Sequence, residues 1–240
     1  MPKPILVLLG AILIQIAFGL PSTLPKGSDE NLYKEHNVIP KEKDSVTEKS
    51  AASIERKRLS AMIKEGDAKH FKFLLECSNK IAKDLLADAR INGADTEDMQ
   101  EKRAMLEQYV KDSDEALSSN SSKCKTRVLK DFFTFTNHYT SDKENHTSEN
   151  DIIIREALKA HGYDQLEAEE YKLLDEIGSH YADEFEKYLM SLSPAERENE
   201  EDLMNVYETS MLNKGLMSRS NYGFRYKLLF SESEDVYIKL

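Results

Sequence analysis

Apolar side chains step through this chain at intervals of three and four residues, and that spacing limits what it can fold into. Cys124, Val128, Phe132, Phe135 and Tyr139 step by 4, 4, 3 and 4, which puts all five on one stripe of an α-helix. Phe71, Leu74, Leu75, Ile81, Leu85 and Ala89 recur in the same way from about Asp67, as do Met99, Leu106, Val110 and Leu117. Asn92-Gly93 supplies a stop between these two patterns, and Asp95 or Thr96 a cap for the second. The run Ser118 to Ser122 ends it. A polar stretch over 140–150 leads to a short helix from Asp151, with Ile154 and Leu158 inward and Gly162 as terminator. A longer helix carries Leu166, Leu173, Ile177, Tyr181, Phe185, Tyr188 and Leu192. Ser193-Pro194-Ala195-Glu196 is a restart: serine caps, proline takes the first helical position and Glu196 completes a capping box. Leu203, Val206 or Tyr207, and Met211 form the inner face that follows, and Asn213-Lys214-Gly215 stops it.

The fold expected is therefore all-α, a bundle of about six helices over residues 50–215. It is either one domain or two sub-bundles divided near residue 145. The tail, 216–240, changes period. Tyr222, Phe224, Tyr226, Leu228 and Phe230 alternate with Gly223, Arg225, Lys227 and Leu229. Period two suggests a strand. With a turn at Ser231 to Asp235 it allows a small C-terminal β-hairpin packed on the helices, since an isolated hairpin is only marginally stable.

The N-terminus carries Lys3, an apolar run from Ile5 to Phe18 broken only by Gly10 and Gln15, and the small residues of Ala17-Phe18-Gly19. This is the layout of a secretory signal peptide over residues 1–19. The run is shorter than the roughly 20 residues a membrane anchor needs. Residues 20–49 are polar and mixed in sign, with Pro21, Pro25, Gly27 and Pro40, and read as an extended or disordered leader. Glu55-Arg56-Lys57-Arg58 is read as a solvated helix face rather than a processing site, because Ile54, Leu59, Met62 and Ile63 surround it at helical spacing. No later segment approaches 18 apolar residues, so the expectation is a soluble extracellular protein with no membrane span. In an oxidising compartment Cys77 and Cys124 are the available intramolecular disulfide. Such a bond would staple the first of three consecutive helices to the third, with a loop-closure benefit of about 4 kcal/mol; the alternative is two buried free thiols. Asn120-Ser121-Ser122 and Asn145-His146-Thr147 are glycosylation sequons, with Asn120 and Asn145 as acceptors in polar stretches.

The charge balance bears on partners. There are 33 Lys and Arg against 44 Asp and Glu, a net charge of -11. That argues against a nucleic-acid backbone as the main partner. His161, His180 and Glu184 suggest a metal site, but no His-Glu-x-x-His pattern accompanies them. The acidic runs lack the alternating oxygen ligands and glycine of a calcium loop. No Gly-rich phosphate loop or Gly-x-Ser-x-Gly elbow occurs. No catalytic, cofactor-binding or metal-ligating residue is assigned, no cofactor is expected, and the protein is read as non-enzymatic. Residues 164–202 hold 14 of the acids and 3 of the bases, which leaves 30 of each sign elsewhere. A basic partner surface would meet the chain there, and Glu198, Glu200, Glu201 and Asp202 are the candidate contacts. Solubility is the plainer account of the same charge. Phe133, which falls off the inward face of its helix, is a further candidate contact. The tail aromatics Tyr222, Phe224, Tyr226 and Phe230 lie among Arg219, Arg225 and Lys227. They read as a packing element rather than a stacking platform for single-stranded nucleic acid.

The signal ending Ala17-Phe18-Gly19, the polar leader, the lone pair Cys77 and Cys124 and the acidic helices after Asp164 together resemble a mosquito salivary family of mid-sized, all-helical secreted proteins. The resemblance implies a protein injected into a host during blood feeding. Such a protein would bind host haemostatic, immune or cell-surface components, with pathogen transmission as a process it could favour. It carries over no functional residue, because no binding motif is matched. Two other readings stand beside it: a carrier of a small apolar ligand enclosed by the Phe132/Phe135/Tyr139 helix, and a reproductive-tract secreted protein of the same layout.

Overall fold

The structure is a computed structural model that describes residues 51–140, 148–212 and 217–238, with side chains described from Ala52 as far as Ser231 within these ranges. The chain divides into Met1–Glu48 and the compact unit Lys49–Leu240. The proposed signal peptide and leader lie outside the described residues, as do Asn145 and the stop at Asn213-Lys214-Gly215. Among the described residues every element is a helix, nine in all. They are α1 (Ala51–Ala87), α2 (Ala89–Gly93), α3 (Glu97–Ser118), α4 (Ser122–Thr140), α5 (Glu149–Ala160), α6 (Tyr163–Ser191), α7 (Pro194–Glu198), α8 (Glu201–Leu212) and α9 (Arg219–Ile238).

Local chemistry sets most of the boundaries. The Thr96 hydroxyl accepts from the Met99 amide and opens α3. Ser148 does the same for the Asp151 amide at α5. Ser193 and Glu196 form the reciprocal capping box of α7, with Pro194 at its first position. Gly162 separates α5 from α6 at φ 93°, the left-handed region that glycine enters at little cost. Asp88 starts α2 by accepting from the Arg90 amide at 2.9 Å. This cap was not read from the sequence, and it is why the first pattern divides at residue 88 rather than running on to Asn92.

Two apolar cores result. The first joins the second half of α1 to α2, α3, α4, α5 and the first turn of α6, around Leu75, Met99, Phe132, Tyr139, Ile154 and Tyr163. The second joins the first half of α1 to α6, α8 and α9, around Leu59, Tyr181, Phe185, Tyr188, Val206 and Tyr226. α1 and α6 contribute to both. At 37 and 29 residues they are about 55 Å and 43 Å long. Gly66 lets α1 approach α6: a Cβ there would stand 2.0 Å from the Tyr181 hydroxyl, which donates to the Ile63 carbonyl at 3.1 Å.

The tail corrects the hairpin expectation. Residues 219–238 are the helix α9. Tyr222, Tyr226 and Phe230 are buried. Their spacing of four fits a helical face as well as it fits every second pair of an alternating strand, so the pattern alone could not decide. Gly223 decides in favour of close helix packing. A Cβ on it would meet the Gly178 carbonyl oxygen of α6 at 1.7 Å. Leu228, inward in the strand reading, is 40% exposed.

The disulfide expectation is also corrected. Cys77 and Cys124 are free thiols, each half-buried against the first core. Burial raises the Cys77 thiol pKa, and the carboxylates of Glu169 on α6 and of Glu76 add to it. The α1 residues next in line, Ser78 and Asn79, bond to Tyr109 and Ser113 of α3. The Tyr109 ring meets Phe132 of α4 at 5.1 Å, and Phe132 is eight residues, or about 12 Å of helix, beyond Cys124. A disulfide needs Cα atoms within about 7 Å.

Asp88 ties the first half together electrostatically. Its carboxylate pairs with Arg90 at 2.7 Å and with His161 at 2.9 Å. The Arg90 guanidinium, then the Arg90 amide and His161, hold it far below the ordinary carboxylate pKa. Lys102 lowers Asp98 in the same direction, and Lys187 and Arg58 lower Glu184. Folded-state values below the unfolded ones give stability that is present above the ordinary carboxylate range and lost as pH falls through it. The urea midpoint is expected to decline as pH drops below about 4, and Asp88→Asn is expected to flatten that decline. A midpoint unchanged between about pH 5 and pH 3 would contradict the assignment.

Candidate partner-binding surface

The acidic segment has two populations of carboxylates. Those on α6 are paired from within the chain. Glu170 bonds His70 at 2.8 Å, Glu184 bonds Arg58 at 2.5 Å, and Glu176 faces Lys69 at 3.7 Å, all three partners lying on α1. Arg219 of α9 bridges Asp183 and Glu186. Asp175 accepts from the Ser220 hydroxyl at 2.7 Å. The basic partner of the acidic helix is therefore in large part the protein's own α1 and α9.

Glu200 belongs to this inward group. It accepts from Arg56 and from the Tyr188 hydroxyl, the latter at 2.6 Å, and its side chain is 12% exposed. Burial works against the Arg56 charge, but Glu200 outweighs it and holds the guanidinium more firmly protonated than usual. The same guanidinium lies 4.6 Å from the centre of the Phe230 ring, a cation–π placement. Glu200 thus joins α1, α6 and α9 rather than facing a partner.

The second population is outward. Glu198, Glu201 and Asp202 are exposed, with no ion pair among the described residues. Glu201 and Asp202 occupy the first turn of α8, where the helix dipole favours negative charge. Glu201, Asn205, Glu208 and Leu212 step by four, three and four along its exposed face. Beside this ridge lies an open concavity of about 320 Å³ between α6, α8 and α9. Met190, Tyr207 and Met211 supply its apolar lining and Arg219 with Asp183 part of its charged edge. Met190 and Met211 are each 45% exposed and Leu212 84%. Methionines are unbranched and polarisable, so a surface built from them adapts to the shape that lands on it.

The methionine surface was not read from the sequence, where Met211 was assigned to an inner face. α8 ends at Leu212, and its last turn runs past the core it packs on. Phe133 is half-buried and meets Phe132 edge-on at 5.7 Å, so it is tied to the first core rather than displayed. Asn120 is exposed between α3 and α4. His161 is taken up by Asp88 and Glu184 by Arg58 and Lys187. No group of three or more His, Cys, Asp or Glu residues that could hold a metal occurs among the described residues. Phe132, Phe135 and Tyr139 are buried side chains packed by Tyr109, Tyr163 and one another. No helix of the described residues is long and apolar enough to cross a membrane. Compared with known proteins, the chain matches no family model, no curated protein and no solved structure.

Proposed function

We propose that this chain is a secreted, non-enzymatic effector of salivary type that acts by binding an extracellular or cell-surface protein of a host. The partner docks a basic surface on the outward acids of α7 and α8 and an apolar anchor in the adjoining methionine concavity. The observation that carries the docking site is the division of the carboxylates. Those of α6 are mostly paired internally, while Glu198, Glu201 and Asp202 are left outward on α7 and the first turn of α8, whose last turn exposes Met211 and Leu212. Charge near such an anchor accelerates encounter, and the apolar contact holds the complex. Secretion and the salivary setting rest on the N-terminal apolar run and on the resemblance to salivary proteins.

The test compares the native chain with Glu198→Lys/Glu201→Lys/Asp202→Lys, both immobilised and exposed to serum and cell-surface extracts. The native chain is expected to retain a defined extracellular protein, with an association rate that falls as salt rises. The variant is expected to bind that protein at least tenfold more weakly. Equal binding by the two would sink the proposed site.

A further inference from the structure

The first half of α4 breaks the charge pattern of the rest of the chain. From Ala116 to Lys130 there is no acidic residue, while Lys123, Lys125, Arg127 and Lys130 supply four cations. Lys123, Arg127 and Lys130 stand at i, i+4 and i+7, all three exposed, so they form one line along the helix, about 10 Å from first to last. Arg127 forms long ion pairs with Asp112 at 3.7 Å and Asp131 at 3.8 Å, and its side chain remains 60% exposed. α4 has no acid in its first turn. Lys123 and Lys125 sit where a helix dipole disfavours positive charge. The helix dipole therefore does not account for Lys123 and Lys125.

We propose that the Lys123/Arg127/Lys130 line of α4 is a binding site for a sulfated polysaccharide of the glycosaminoglycan class, separate from the protein-docking face on α7 and α8. A linear polyanion matches a linear array of cations. Binding a charged polymer depends on local rather than net charge, with counterions released from the polymer as each cation engages it. The stripe has no exposed aromatic ring between its cations, since Phe132 is buried and Phe133 packs against it. It therefore lacks the stacking platform that single-stranded nucleic acid uses. The proposal goes beyond the protein partner proposed above, and a sulfated polymer in place of serum proteins keeps the two tests distinct.

The experiment measures binding of the full chain to immobilised heparin, to desulfated heparin and to duplex DNA. Heparin binding is expected at low salt, lost on desulfation and weaker for DNA. Lys123→Glu/Arg127→Glu/Lys130→Glu is expected to weaken it at least tenfold with unchanged helical content. Lys69→Glu/Lys72→Glu/Lys80→Glu on α1 makes the same change in net charge and is expected to leave it within twofold. The milder Lys123→Gln/Lys130→Gln, which keeps Arg127, is expected to give an intermediate loss if the triple variant folds poorly. No heparin binding at low salt, equal binding to DNA, or equal loss in the α1 control would each overturn the proposal.

Discussion

Gly223→Ala is expected to be the most destabilising single-methyl change in the described residues. The added Cβ would lie 1.7 Å from the Gly178 carbonyl oxygen, 2.7 Å from its carbon and 2.9 Å from the Ala182 nitrogen. All three are backbone atoms of α6, so no side-chain rotation relieves the overlap. α9 must move away, and the rings that cross this interface lose their fit. Tyr226 stacks on Phe185 at 5.4 Å, Phe230 meets Phe185 at 5.2 Å, and Phe224 meets Tyr181 at 6.0 Å. Overpacking costs about 1–3 kcal/mol when side chains can adjust, and more when they cannot. A loss of about 3 kcal/mol is expected here, which lowers Tm by roughly 6–12 °C for a domain of this size. Gly93→Ala is the control: no atom stands within 4 Å of its Cβ position, and its effect should stay within about 0.5 kcal/mol. Equal Tm values for the two variants would refute the glycine crossing of α6 and α9.

Glu200→Ala is expected to have the second large effect. The substitution removes the acceptor of both Arg56 and the Tyr188 hydroxyl. It leaves a guanidinium 19% exposed over Phe230 without that carboxylate. A fully buried pair broken on one side costs more, but this pair touches water, so about 2–3 kcal/mol is the reasonable range. Arg56→Ala removes the partner instead. The double variant is expected to lose less than the sum of the singles, with a coupling of about 1 kcal/mol or more. Urea denaturation of the four proteins measures this. Strict additivity would mean that Arg56 and Glu200 act independently, contrary to the geometry.

Most of the helices were legible because their signals are local. The stripe from Val128 to Tyr139, the stop at Gly162 and the box from Ser193 to Glu196 each need only a few neighbouring residues, and each appears in the structure. What sequence reading missed depends on distant residues. Tyr222, Tyr226 and Phe230 satisfy two periods at once, and the choice is made by Gly178, about 45 residues earlier, which only the folded chain brings to Gly223. A count of two cysteines in a secreted chain suggests a disulfide, but a count carries no distance, and in the folded chain Cys77 and Cys124 are free thiols. The number of helices grew from about six to nine among the described residues because a cap at Asp88 and a short α7 create boundaries with little change in apolar pattern, and because the tail forms the helix α9 in place of a hairpin.

The site was less legible than the fold. The summed charge of residues 164–202 pointed to one acidic surface. In the structure Arg58, His70 and Arg219 cover much of it. Glu200, chosen as a contact, is an internal tie, whereas Glu198, Glu201 and Asp202 remain outward. The docking site proposed for them also draws on Met190 and Met211, whose exposure no periodicity signals, because one lies on α6 and the other on the last full turn of α8.

Position-resolved cross-linking tests the docking face most directly. A photo-reactive side chain replaces Met211 in one protein and Met105 of α3, 57% exposed, in another. Each is also prepared with Glu201→Lys/Asp202→Lys. The extracellular partner retained by the native chain is expected to cross-link from position 211, not from position 105, and to be lost on charge reversal. Cross-linking from position 105 alone, or from position 211 irrespective of the charges at 201 and 202, would contradict the account.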